Sequence, residues 1–68
     1  MVTYQRYAEL RDHAGFTDFA VAKQTGISPA SISDWKTGKS VPKVDKLLKI
    51  AKVLDVTLND LVEEEVAT

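Results

Sequence analysis

Apolar residues in this chain recur every three or four positions and nowhere alternate singly over a useful length, so the pattern predicts helices and no strands. Tyr7, Leu10 and Ala14 stand at i, i+3 and i+7 and predict an inward face on a first helix over about residues 2–13, broken by Gly15. Three later helix starts share one arrangement: an apolar residue, a Ser or Thr, and a second apolar residue five positions after the first. The triplets are Phe16-Thr17 with Val21, Ile27-Ser28 with Ile32, and Val56-Thr57 with Leu61. This is the spacing of a hydrophobic staple across an N-cap, where the side-chain oxygen accepts from an amide that the helix itself leaves open. The triplets predict helices over about 17–25, 28–36 and 57–65, the last with Asp60 at its capping-box position. Leu47, Ile50, Ala51 and Leu54 give a further helix over about 44–54 its inner face, and Lys46, Lys49 and Lys52 fall on the opposite side. Lys43 stands at the start of that helix, where Ser, Thr or Asp caps better and the dipole disfavours a cation.

The junction between the second and third helices has a composition of its own. Ala22 is a small residue where two backbones must approach, Gly26 can take a positive φ, and Ile32 is an apolar anchor on the following helix. These are the requirements of two helices crossing steeply through a short turn. Pro29 falls at the first position of the third helix, where a missing amide costs nothing. Trp35 lies three residues after Ile32 and is expected in the core. Phe19 is expected to be partly buried against the first or last helix, and Tyr4 to sit at the rim of the core. His13 suits the negative end of the first helix dipole, and Glu63 to Glu65 read as a solvated helix end.

Sixty-eight residues make one domain, near the lower size limit for a core unaided by staples. There is no cysteine, so neither disulfides nor a thiolate zinc site can assist, and His13 is the single histidine. No nucleophile–base pair, metal-ligand set or glycine-rich phosphate loop can be assembled, so neither an enzyme nor a bound cofactor or metal is expected. No run approaches the roughly 20 apolar residues of a membrane span, and the start lacks the order of a signal peptide. The expectation is a small soluble cytoplasmic protein.

Net charge is −1, which at first disfavours a nucleic-acid partner. Its distribution changes that picture. Seven lysines face only Asp34 and Asp45 between residues 23 and 52, whereas the remainder carries Arg6 and Arg11 against eight acids. A chain of this length has an expected radius of gyration of about 11 Å, and screening acts over about 8–10 Å at physiological salt. Local charge therefore outweighs net charge.

The chain resembles the Cro/repressor helix-turn-helix family, also described as lambda-repressor-like. The matching residues run through Tyr7, Leu10-Arg11, Gly15-Phe16-Thr17, Val21-Ala22, Gly26-Ile27-Ser28, Ile32-Ser33, Trp35, Gly38-Lys39, Pro42, Leu47, Ile50-Ala51, Leu54, Val56 and Leu61. The resemblance implies an all-α, compact five-helix domain whose third helix enters the major groove of double-stranded DNA. It implies base reading by Ser28, Pro29, Ala30, Ser33 and Asp34. It places Thr17, Asp18, Ser31, Lys36, Thr37, Lys39, Ser40 and Lys43 near phosphates. Asp18 replaces a common family glutamine and would repel a phosphate unless oriented outward. By chemistry, the serines can donate or accept, and Pro29 and Ala30 can pack on a thymine methyl. No Arg, Lys, Gln or Asn stands among the base-reading positions, so shape and phosphate contacts carry more than usual.

These readings converge on a sequence-specific DNA-binding regulator, expected to be a bacterial or phage repressor associated with the nucleoid. A homodimer is expected because one short helix spans few base pairs, with Leu58, Val62 and Val66 as its contact. Three alternatives stay open: the DNA-binding antitoxin of a toxin–antitoxin pair, the N-terminal module of a longer regulator, and a protein-interaction adaptor on the same fold.

Overall fold

The computed structural model describes residues 2–62. Five helices follow in order: α1 (Tyr4–Ala14), α2 (Asp18–Thr25), α3 (Pro29–Thr37), α4 (Val44–Leu54) and α5 (Leu58–Leu61). The all-α, five-helix expectation holds, and the radius of gyration is 11.3 Å.

Each helix starts where its cap is. Thr17, Ser28 and Thr57 accept from the amides of Ala20, Ser31 and Asp60, and Asp60 returns the bond to complete a capping box. Thr3 caps α1 in the same way, so α1 begins two residues later than its periodicity predicts. Lys43 stands at the α4 cap and makes no side-chain capping bond. The apolar residue three or four positions into each helix is buried in every case: Tyr7, Val21, Ile32, Leu47 and Leu61. These five side chains make the core together with Ala22, Ile27, Trp35, Ile50, Ala51 and Leu54. The α4 helix packs on α2, α5 and α1, while α3 packs on α2 and α1.

The first four helices end in left-handed residues. Gly26 (φ 77°) sits at the corner between α2 and α3, and its amide donates to the Ala22 carbonyl. A side chain there would meet no steric obstacle, so backbone conformation alone selects glycine. The α4 helix stops without a glycine: Asp55 adopts φ 58° and closes the turn through Val56, whose amide donates to Ala51.

Four expectations need correction. The α5 helix ends at Leu61, not at residue 65, because Val62 is extended and pairs with Val2 in an antiparallel bridge; residues 63–65, including the Glu63 to Glu65 run, lie outside the described residues. Ala14 is exposed, since the reversal at Gly15 brings Phe16 to the core instead. Lys46 is half-buried and lines a cleft with the loop before α4. Phe19 is 72% exposed. The inner stripe of α2 is Val21, Ala22 and Thr25, and at 3.6 residues per turn Phe19 falls roughly 110° away from it.

Candidate nucleic-acid interface

The third helix is short and held at both ends. The Ser28 oxygen accepts from the Ser31 amide at 3.2 Å and lies 2.9 Å from the Ser31 hydroxyl. Pro29 occupies the first helical position. At the other end, Gly38 (φ 84°) turns the chain so that the Lys39 amide donates to the Asp34 carbonyl at 2.8 Å. The Thr37 hydroxyl donates to the same carbonyl at 3.3 Å.

An aromatic cluster fixes the rotation of α3. Ile32 and Trp35 are buried, and Trp35 stacks on Tyr7 of α1 with centroids 4.9 Å apart. Tyr4 meets Trp35 edge-on at 5.8 Å. With that face inside, Pro29, Ala30, Ser33, Lys36 and Thr37 are exposed, and Asp34 is half-buried at the margin. Trp35 is thus a core residue, as its spacing predicts. Its indole Nε1 finds no acceptor among the described residues.

Two clefts bracket the exposed strip. One lies between α3 and the first turn of α2, lined by Asp18, Phe19, Pro29, Ile32, Ser33 and Lys36. The other lies between α3 and the loop into α4, where Ser31 faces Ser40, Val41, Pro42, Lys43 and Lys46. Pro29, Ser33 and Lys36 therefore share one flank of α3, and Ser31, Ser40 and Lys43 share the other. Thr17, Lys39 and Lys43 are exposed at the helix ends that border this strip. The hydroxyl groups of Thr17 and Ser28 already accept capping bonds, which limits the geometry with which they can meet a further partner.

Asp18 departs from its expected role. Its carboxylate turns towards α1, where the Tyr4 and Tyr7 hydroxyls and the Arg11 guanidinium each donate to it at 2.7 Å. Burial pushes this carboxyl up, but hydrogen bonds from Tyr4, Tyr7 and Arg11 and the guanidinium charge outweigh it, so it sits below the usual carboxylate range. Burial and the same carboxylate drive the Tyr7 hydroxyl far above its ordinary value. Arg11 also donates to Asp12 and to the Tyr4 hydroxyl, and lies 5.7 Å from the Tyr7 ring centroid. Asp18 is therefore a tie between α1 and α2, its carboxylate held by partners inside the domain. The spacing of Tyr4, Tyr7 and Arg11 at i, i+3 and i+7 was the available signal for this tie. It marks one face of α1 as polar and aromatic at once.

The sequence profile of the helix-turn-helix family matches residues 8–61, which includes every element just described except the first turn of α1. The chain belongs to the Cro/repressor helix-turn-helix family. Among characterised helix-turn-helix proteins, it is similar to the HTH-type transcriptional activator BcrR of Enterococcus faecalis, at 31% identity over 61 residues. That alignment covers 90% of this chain and 30% of the relative, so the chain spans under a third of that protein's length. No solved structure matches the chain. In this helix-turn-helix domain, α2 and α3 are the paired helices and Gly26 is their turn. Among the described residues, no helix is long and apolar enough to cross a membrane.

Proposed function

We propose that the protein binds double-stranded DNA sequence-specifically and regulates transcription, with the exposed strip of α3 in the major groove. The observation that carries this reading is the strip itself. It is short enough to enter a groove about 12 Å wide, held by core residues on its inner face, and bordered by Lys36 on one side and by Lys43 and Lys46, with Asp45 between them, on the other. Pro29, Ala30 and Ser33 present methyl, ring and hydroxyl groups to base edges, and Asp34 at the margin can accept from a cytosine amine. Lys36, Lys39 and Lys43 neutralise phosphates, assisted by Ser31, Thr37 and Ser40. Thr17 and the first amides of α2 supply a further phosphate contact. The inward turn of Asp18 supports the reading over an adaptor, because its carboxylate is taken up by Tyr4, Tyr7 and Arg11 and turned towards α1.

Two copies on a two-fold operator, with half-sites about 10 base pairs apart, follow from the small footprint of one recognition helix. Leu58 packs against its own core and Val62 pairs with Val2, so these two have little area to offer a second copy; Val66 lies outside the described residues. Repression follows where the operator overlaps a promoter. The E. faecalis relative is named an activator, so activation is the second reading of the same DNA contact.

Selection of bound fragments from random duplex DNA tests the proposal. Enrichment of paired half-sites at one-turn spacing is the expected result, and the Lys39→Glu/Lys43→Glu variant should lose binding while remaining folded. Recovery of no preferred sequence would refute sequence-specific reading.

A further inference from the structure

We infer that Phe19 reads a base: its ring, together with Pro29, takes the C5-methyl group of a thymine at the α2 edge of the α3 footprint. This deepens the DNA-binding reading above and rests on it.

Phe19 is the most exposed large apolar side chain among the described residues, at 72%. The other aromatic residues, Tyr4, Tyr7, Phe16 and Trp35, belong to the core or pack against it. The fold does not use the Phe19 ring, which lies well off the inner stripe of α2. Yet the backbone that carries it is anchored immediately beside the ring. Thr17 caps the helix immediately before it, and Asp18 is held by three hydrogen bonds of 2.7 Å to α1. The ring is therefore displayed by a rigid mount at the side of α3.

Its surroundings specify what it meets. The ring borders a cleft of about 260 Å³ with Pro29, Ser33 and Lys36. Two apolar rings, a hydroxyl and an ammonium together suit a ligand with an apolar group, hydrogen-bonding edges and a nearby negative charge. A thymine in a duplex has all three: its methyl group, its O4 acceptor and the phosphates flanking it. The one acid lining the cleft, Asp18, is already bonded to Arg11. The cleft is also continuous with the proposed reading strip, since Pro29 and Ser33 belong to both.

A need for such a contact follows from the composition of α3. Ser28, Pro29, Ala30, Ser33 and Asp34 include none of the bidentate donors that usually discriminate bases. The thymine methyl is a feature of a base edge in the major groove that can be recognised without a hydrogen bond. Besides single hydroxyl contacts and shape, discrimination by this face then draws on apolar surface, and Phe19 holds the largest exposed piece.

The test uses the best duplex from the selection above and replaces each thymine in a half-site with uracil, which removes the methyl group alone. For the unaltered protein, one thymine per half-site should lose about fourfold in affinity, the value of one buried methylene-sized group. Phe19→Ala should bind the thymine and uracil duplexes equally at that position, and Phe19→Leu should keep part of the preference. Unfolding midpoints check that both variants fold. If Phe19→Ala retains the thymine preference, or weakens both duplexes alike, the inference is wrong, and the ring packs on sugar or another surface. If the unaltered protein binds no duplex, the DNA reading fails and this inference falls with it. Loss of binding by Lys39→Glu beside an unchanged thymine preference in Phe19→Ala overturns the inference alone.

Discussion

Asp18 concentrates several opposing effects on one carboxylate. Its side chain is 34% exposed, which lowers the value of its ion pair with Arg11, but three short bonds to two tyrosines and a guanidinium leave little freedom to relax. Asp18→Asn keeps the shape and removes the charge. It is expected to lower stability by about 1–2 kcal/mol, at the modest end for hydrogen bonds to a charged group because of that exposure. The pH dependence has a definite sign. A carboxyl whose folded value is depressed contributes stability above its unfolded value of about 3.9, and loses it as pH falls through the folded value. Tyr7 is displaced upwards, so its contribution is complete below about pH 10 and is lost as pH rises further. Urea midpoints should therefore be flat between these limits and fall on both sides. In Asp18→Asn the acid limb should be shallower, retaining the part due to Asp60, which its capping bonds from Thr57 also hold below the ordinary range. An unchanged acid limb would show that the tie carries no proton linkage.

At the scale of elements, capping explains both what the amino-acid pattern revealed and what it concealed. Three staples were readable, and a fourth, Val2-Thr3 with Tyr7, follows the same rule but was hidden inside an apparent helical period. Placement of α2, α3 and α4 was legible because their signals are local: a cap, a stripe, a stop. The length of α5 was not, because Val62 continues a helical spacing and only its pairing with Val2, sixty residues away, makes it extended. The inward turn of Asp18 depends on how α1 meets α2, with the Tyr4, Tyr7 and Arg11 spacing as its one local sign, whereas the exposure of Phe19 follows from its angle to the α2 stripe. The strip of α3 itself was legible, since Ile32 and Trp35 define its inner face. Two element ends are poorly made and invite a test. Lys43 gives α4 no capping bond, and Asp55 places a non-glycine residue and a negative charge at its far end. Lys43→Ser should stabilise by about 0.5–1 kcal/mol and at the same time weaken DNA binding, lowering the salt slope by about one per subunit. Asp55→Gly should stabilise by about 0.5–1 kcal/mol by relieving left-handed strain, with DNA affinity unchanged. Opposite effects of Lys43→Ser on folding and binding would identify a residue kept for its charge.

For the whole molecule, an acidic isoelectric point near 5.7 coexists with a lysine-bordered strip on one side. If each subunit neutralises three or four phosphates, log K for a dimer should fall against log salt with a slope of roughly −5 to −7. A salt-independent affinity would contradict the proposed mode. The lysines are not equivalent in this respect. Lys49 and Lys52 border a separate cleft with Gln24, Thr25 and Val53, which includes none of the residues lining the clefts beside α3. The Lys49→Gln/Lys52→Gln double variant should keep the slope within measurement error, whereas Lys36→Gln/Lys39→Gln should reduce it by about two per subunit. Equal reductions would mean that diffuse charge, and not the strip, holds the DNA.

The stacking of Trp35 on Tyr7 has a practical corollary. Trp35 is the single tryptophan of the chain and is 4% exposed, on the reverse side of the helix that carries the exposed strip. Its emission therefore reports whether α3 is seated on α1, and soluble quenchers will reach the indole only when that seat opens. A substitution that abolishes DNA binding with the emission maximum unmoved has removed a contact; one that shifts the spectrum to the red has unseated the helix.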